Sequence, residues 1–218
     1  MTLRLFAHPL SSYCWKALIP LYEAGTPFMF EKLEFGRDDG PIVEFMRRWP
    51  LGKMPLLRDE ARDETVVESS VIIEYLDRFL GGTMIPADSE AALKARFWDR
   101  FFDNYVMTPQ GRLVFEVLRP EGAKDRFGVA EARALLDKAY AHLEAELADG
   151  RTWMTGGAYS LADVSASPSL FYAQRCHAWG ERPHLQGYYD RLEARPSFAR
   201  VIAEAQPYMH MFPGAPDY

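Results

Sequence analysis

Three short segments carry the side chains that could do chemistry. Ser11, Ser12 and Cys14 follow a short apolar run, Leu3 to Ala7, and a turn that contains Pro9. Hydroxyls and a thiol at the start of a helix share its positive dipole end, which favours a nearby anion and lowers the pKa of a thiol. The second segment, Trp49-Pro50-Leu51-Gly52-Lys53-Met54-Pro55-Leu56-Leu57, has a proline at the head of an apolar run. Proline cannot donate to a sheet ladder, so Pro55 belongs at a strand's first residue or on an edge, and Met54 before it keeps its backbone groups open. Glu68-Ser69-Ser70, the third segment, precedes apolar positions 71, 72, 73, 76 and 79. An acid and two hydroxyls thus gather where a helix N-terminus offers open N–H groups to an anion. One local unit combines backbone pairing with a charged pocket.

The elements that position these residues are legible from periodicity. Leu3 to Ala7 reads as a strand, and Trp15, Leu18, Ile19 and Tyr22 recur at helical spacing from an N-cap at Ser12 until Gly25 and Pro27. Phe28 to Leu33 reads as a strand covered on both faces, Pro41 opens a short helix to Trp49, and Pro55–Arg58 and Thr65–Val67 are two further strands. A helix from Ser69 to Leu80 ends at Gly81-Gly82. The order is β-α-β-α-β-β-α. Beyond Pro86 everything reads helical: Leu93 to Leu118 with a kink or break at Pro109 and Gly111, Ala130 to Leu147, Leu161 to Cys176, Pro183 to Ala194 and Ser197 to Ala205. The tail from Pro207 to Tyr218 lacks periodicity.

Composition narrows the class. A chain of 218 residues with 48% hydrophobic and 14% aromatic residues is long enough for one large or two small globular domains. A net charge of -6 argues against nucleic acid or an anionic membrane as partner. Cys14 and Cys176 form neither a zinc spacing nor a disulfide framework, and the five histidines show no ligand spacing, so no metal is expected. No stretch approaches a membrane span or a signal peptide, which points to a cytoplasmic protein.

A βαβαββα half followed by an all-helical half resembles the cytosolic glutathione transferases. Pro50-Leu51-Gly52-Lys53-Met54-Pro55 is similar to the family's loop ending in a cis-proline, Glu68-Ser69 to its acid-serine pair, and Ser11-Ser12-Tyr13-Cys14-Trp15-Lys16 to its activating segment. In the helical half, Gly156 to Val164 is similar to the family's capping box and Arg195-Pro196-Ser197-Phe198 to its late turn. The paired serines, with Trp followed by a basic residue, are closest to the serine-type, zeta-like and bacterial members. Trp49, Met54 and Tyr13 depart from the residues common there, which are Asn, Val and Cys.

The resemblance implies an α+β, two-domain fold: a thioredoxin-like domain with a mixed four-stranded sheet over residues 1–82, and an all-α bundle over 88–218. It implies glutathione as co-substrate, a small electrophilic second substrate, a homodimer and a role in detoxification. Ser11 would activate the thiol, with Ser12 in reserve. Lys53, Met54, Pro55, Glu68 and Ser69 would hold glutathione: Met54 and Pro55 its cysteinyl backbone, Glu68 and Ser69 its γ-glutamyl amino and carboxylate groups. Phe101, Tyr105 and Tyr172, with Phe115 and Phe171, are candidates for an apolar pocket for the second substrate. Each residue also has a plain structural role: Ser12 an N-cap, Ser11 a turn residue, Cys14 a small apolar residue without a CxxC partner, the aromatics core. Two other functions stay open, a non-catalytic glutathione-binding module and a glutathione-dependent disulfide reductase using Cys14. Ser160 and Asp163 read as structural, closing a capping box.

Overall fold

The computed structural model describes residues 2–34 and 36–218; Met1, the first residue of the expected first domain, and Phe35 lie outside them. Four strands, β1 (Leu3–Ala7), β2 (Met29–Lys32), β3 (Leu56–Asp59) and β4 (Glu64–Val67), form one sheet in the order β2-β1-β3-β4. β1 runs parallel to β2 and antiparallel to β3, and β3 is antiparallel to β4. A parallel pair needs a crossover, which α1 (Ser12–Glu23) supplies. With α2 (Pro41–Arg48) and α3 (Ser69–Leu80) the order is the expected βαβαββα, and the sheet is mixed and thioredoxin-like.

The central strands are covered on both faces, with Leu5, Phe6, Leu56 and Leu57 fully buried. Phe6, Leu33, Ile42, Phe45 and Leu56 form one cluster, against which Trp49, Met54 and Val67 pack. β2 departs from the expectation of two-sided burial. It is an edge strand whose first and last residues are exposed or half-exposed, because apolar residues at its start do not reveal which strand lacks a second neighbour.

The chain divides into two compact units, residues 1–85 with 197–209, and 86–196 with 210–218. A division at 82/88 assigns all of 88–218 to the helical half, yet most of α9 (Pro196–Ala205) belongs to the first unit. There its apolar face, Phe198, Val201 and Ala205, is buried; Phe198 lies edge-on to Trp15 at 6.0 Å, and the Ser197 hydroxyl donates to Glu23. Periodicity identifies such a face but not the element that covers it.

The second unit holds α4 (Ser89–Phe101), α5 (Thr108–Val117), α6 (Arg126–Leu147), α7 (Leu161–Cys176) and α8 (Pro183–Glu193). Instead of a break at Pro109, a π-helical turn, Phe102–Met107, joins α4 to α5. The wider turn absorbs the missing proline N–H, and the Thr108 hydroxyl donates to the Asp103 carbonyl at 2.8 Å. α7 is buried along nearly its whole length. Ser160 and Asp163 form the expected capping box, and the buried Asp163 carboxylate also accepts from the Met154 N–H at 2.8 Å and the Tyr188 hydroxyl at 2.7 Å. No helix among the described residues is long and apolar enough to cross a membrane.

Candidate functional site

Sheet register brings the three chemical segments together. Phe6, the next-to-last residue of β1, pairs with Leu56, the first of β3, and Leu56 pairs with Val67, the last of β4. The loop leaving β1 toward Ser11, the loop entering β3 through Met54 and Pro55, and the step from β4 into Glu68 and Ser69 therefore emerge from one end of the sheet. Neighbouring strands lie about 4.8 Å apart, so the three segments line a space about 10 Å across.

Ser11, rather than Ser12, is the N-cap of α1; its backbone is extended and its Oγ accepts from the Cys14 N–H at 3.3 Å. Ser12 is the first helical residue. The one-residue difference arises because the turn from His8 closes early, with the Ser11 N–H bonded to the His8 carbonyl at 3.0 Å. The cap itself uses only a lone pair of the Ser11 hydroxyl. Cys14 is fully buried, and that burial pushes its thiol up to about 12, a hydrogen bond with Ser11 opposing the rise only in part. Such a thiol is inert at neutral pH, which removes the physical basis for a nucleophilic Cys14.

The Met54–Pro55 peptide is cis. Pro55 is buried immediately before β3, Met54 is half-buried and Lys53 is exposed. No hydrogen bond joins the Met54 N–H or C=O to another described residue. The first unit thus presents, among the described residues, a Met54 main chain without a hydrogen bond just before its central strand β3.

Glu68 is the N-cap of α3, with φ 67° and ψ 120°, and its side chain makes no capping hydrogen bond. A non-glycine residue there carries strain of about 1–3 kcal/mol, which ordinary helix starts avoid. Glu68 is exposed at the start of α3 and Ser69 is buried. Sequence reasoning missed Lys16. Its side chain is fully buried, and its Nζ donates to Ser70 Oγ at 3.1 Å, tying α1 to the first turn of α3. A lysine in the apolar stretch from Trp15 to Leu21 was the available signal.

The aromatic candidates lie in the second unit. Phe101 and Tyr172 are buried at 7% and 3% exposure, Tyr172 packing against Phe171 and Phe212, whereas Tyr105 keeps 48% of its surface. Phe171 is also buried, and Phe115 is exposed.

A mixed thioredoxin-like sheet with an open residue beside a cis-proline, followed by a helical unit, defines a class of peptide-thiol-handling proteins. Comparison with known proteins narrows it. The family description "Glutathione S-transferase, N-terminal domain" matches residues 1–78, and "Glutathione S-transferase, C-terminal domain" matches residues 126–191. The chain is 30% identical to "Glutathione S-transferase 4" of Zea mays over 220 residues, covering 94% of this chain and 93% of that one. It is 28% identical to "Glutathione S-transferase GstB" of Escherichia coli K12 over 192 residues, 86% of this chain and 91% of the relative. A glutathione S-transferase of Methylobacterium radiotolerans, solved in complex with glutathione sulfonate, superposes with a TM-score of 0.80 at 28% identity, over 93% of this chain and 95% of that one. The chain belongs to the glutathione S-transferase family.

Proposed function

We propose that the chain binds glutathione at this end of the sheet and, through Ser11, activates its thiol for attack on a small electrophile. The carrying observation is that an unpaired Met54 main chain, the start of α3, where the Glu68 side chain makes no capping bond, and the Ser11 hydroxyl lie at one end of one sheet. The cysteinyl backbone of glutathione adds to Met54 as a short antiparallel strand against Pro55. Its γ-glutamyl carboxylate takes the α3 N-terminus and Ser69, and its amino group takes Glu68. Lys53 meets the glycyl carboxylate.

Activation is modest in energy. A thiol of pKa about 8.5 must fall by roughly two units, about 2.7 kcal/mol, to be mostly thiolate at neutral pH. A hydroxyl donating to sulfur supplies about 1.5–3 kcal/mol and the α1 N-terminus about 0.3–2. The thiol proton passes to solvent. The thiolate then forms a C–S bond with the electrophilic carbon while the leaving group departs with its electron pair.

In this reading, residues 1–82 are the glutathione-binding domain and 88–218 carry the second-substrate surface, with Tyr105 the aromatic whose exposure suits contact. Phe101, whose ring lies 5.4 Å from that of Tyr105, supports it, and Tyr172 is the remaining aromatic candidate. Serine-type, zeta-like chemistry, a homodimer, a cytoplasmic location and a role in detoxification complete the proposal, and all of them rest on the family. Retention on immobilised glutathione together with turnover of 1-chloro-2,4-dinitrobenzene, lost in Ser11→Ala, is the expected result. Retention without turnover of any electrophile, peroxide or disulfide would instead make the chain a binding module.

A further inference from the structure

His8, half-buried, sits where β1 gives way to the loop that carries Ser11. The turn that follows is pinned at three points. The His8 carbonyl accepts from the Ser11 N–H at 3.0 Å, and the His8 ring Nδ1 accepts from the Leu10 N–H at 3.2 Å. Between them, the Pro9 carbonyl accepts from the Nε1–H of the buried Trp15 at 2.6 Å. Proline as the second residue of a four-residue turn fixes φ there, and a side-chain acceptor on the first residue that bonds two residues on does what asparagine does in an Asx-turn. Ser11 leaves this turn as the N-cap of α1, so the turn sets the place of its hydroxyl.

We propose that His8 is a positioning residue for Ser11: its neutral ring closes the turn, and a proton taken up from solvent on Nδ1 opens the turn and withdraws the serine hydroxyl from the glutathione thiol. The inference rests on Ser11 being the activating residue. An Nδ1 that accepts from a backbone N–H carries no proton, so the ring is the neutral tautomer with its hydrogen on Nε2. A protonated imidazole has two donors and no acceptor, which would set N–H against N–H at Leu10. The surroundings favour the neutral form. Burial lowers the His8 pKa below its ordinary 6.5, the Lys32 ammonium at the end of β2 lowers it further, and Glu34 opposes them in part. Glu34 is itself engaged by Lys32 at 2.7 Å and by Arg37 at 3.1 Å. Tyr208, in the segment after α9, meets the His8 ring edge-on at 5.9 Å, and Lys32 Nζ lies 5.6 Å from the centre of the Tyr208 ring. The turn is therefore closed at neutral pH and opens on acidification below 6.5.

The test compares His8→Asn, whose Oδ1 takes the Leu10 N–H but no proton in this range, with His8→Leu, which has no acceptor. Amide hydrogen exchange of the unliganded full chain, read by NMR at Cys14, reports the Ser11 cap directly. The pH dependence of kcat/KM for glutathione with 1-chloro-2,4-dinitrobenzene, from pH 5 to 8, reports its consequence. In the parent, protection of the Cys14 N–H falls at least threefold as the His8 ring gains its proton, and the acid limb of kcat/KM approaches a slope of two, one proton for the thiol and one for His8. His8→Asn keeps kcat/KM within about threefold at pH 7.5, holds Cys14 protection constant and lowers the slope to one. His8→Leu loses about three- to tenfold at pH 7.5. Circular dichroism checks folding, and the parent's Cys14 signal needs no variant. Cys14 protection that ignores the His8 titration, or an acid limb unchanged in a folded His8→Asn protein, overturns the proposal. A parent without turnover at any pH defeats the Ser11 reading instead, and Cys14 protection still decides whether His8 sets the turn.

Discussion

Lys16 and Ser70 join the two helices that carry the site: a fully buried ammonium on α1 donates to the second residue of α3 at 3.1 Å. The bond holds the N-terminus under Ser11 and the N-terminus under Ser69 in one arrangement. Lys16→Met keeps most of the stem and deletes the donor. Loss of a buried hydrogen-bonding partner costs about 1–3 kcal/mol, and the glutathione KM should rise as α3 loosens. Urea denaturation and steady-state kinetics measure both. Parental stability with parental KM would mean the bond positions nothing.

Ser11 carries two roles that substitution can separate. Ser11→Ala removes the cap on the Cys14 N–H, about 0.5–2 kcal/mol, and removes the proton donor, so stability falls and the pH midpoint of thiolate formation rises. Ser11→Asp keeps a good cap but sets a negative charge beside the sulfur. It should retain stability within about 0.5 kcal/mol while raising the midpoint further than alanine does. Thiolate absorbance of bound glutathione against pH reads the midpoint. A cap-only role predicts an unchanged midpoint in both variants.

The parts of this fold legible in the sequence are those fixed by local chemistry. The helix Ser69 to Leu80 ends at Gly81 in the left-handed region, and the Ser160–Asp163 box marks the start of α7. What the sequence hides depends on distant partners or on a few degrees of backbone. The positive φ of Glu68 comes from how β4 meets α3, the destination of α9 from which apolar face receives Phe198, and the π-helical turn from tertiary packing around Pro109. Lys16 was visible as a residue. Its partner was not, because Ser70 lies 54 positions away.

Cys14 should behave as a buried hydrophobe. Iodoacetamide at pH 7.5 leaves it unlabelled in the folded protein, and Cys14→Ala keeps turnover near the parental value. Its pH signature has a definite sign. The folded thiol ionises at about 12 against 9.0 ordinarily, so between these values the unfolded chain has lost the proton and the folded one has not. The stabilisation is complete below pH 9 and declines above it, by about 1.4 kcal/mol per pH unit for this group. Cys14→Ala flattens that decline in denaturation curves measured from pH 9 to 11. An unchanged slope, or rapid labelling, would return the reductase reading to consideration.

Glu68 is the residue at which stability and function should trade against each other. Its backbone, at φ 67° and ψ 120°, costs glutamate about 1–3 kcal/mol, while glycine adopts it freely at an unfolded-state entropy cost of about 0.5–1 kcal/mol. Glu68→Gly should leave the fold as stable as the parent or up to about 2 kcal/mol more stable, even though an exposed carboxylate has been deleted. If that carboxylate holds the γ-glutamyl amino group, the same variant raises the glutathione KM at least tenfold with little change in kcat, because the contact is equal in ground and transition states. Glu68→Gln keeps the strained backbone and separates the effects: stability stays at the parental level while KM still rises. Thermal denaturation and kinetics on the two variants decide the matter. A Glu68→Gly protein that is less stable than the parent, or one that binds glutathione normally, would mean the strained turn is maintained for some purpose other than this ligand.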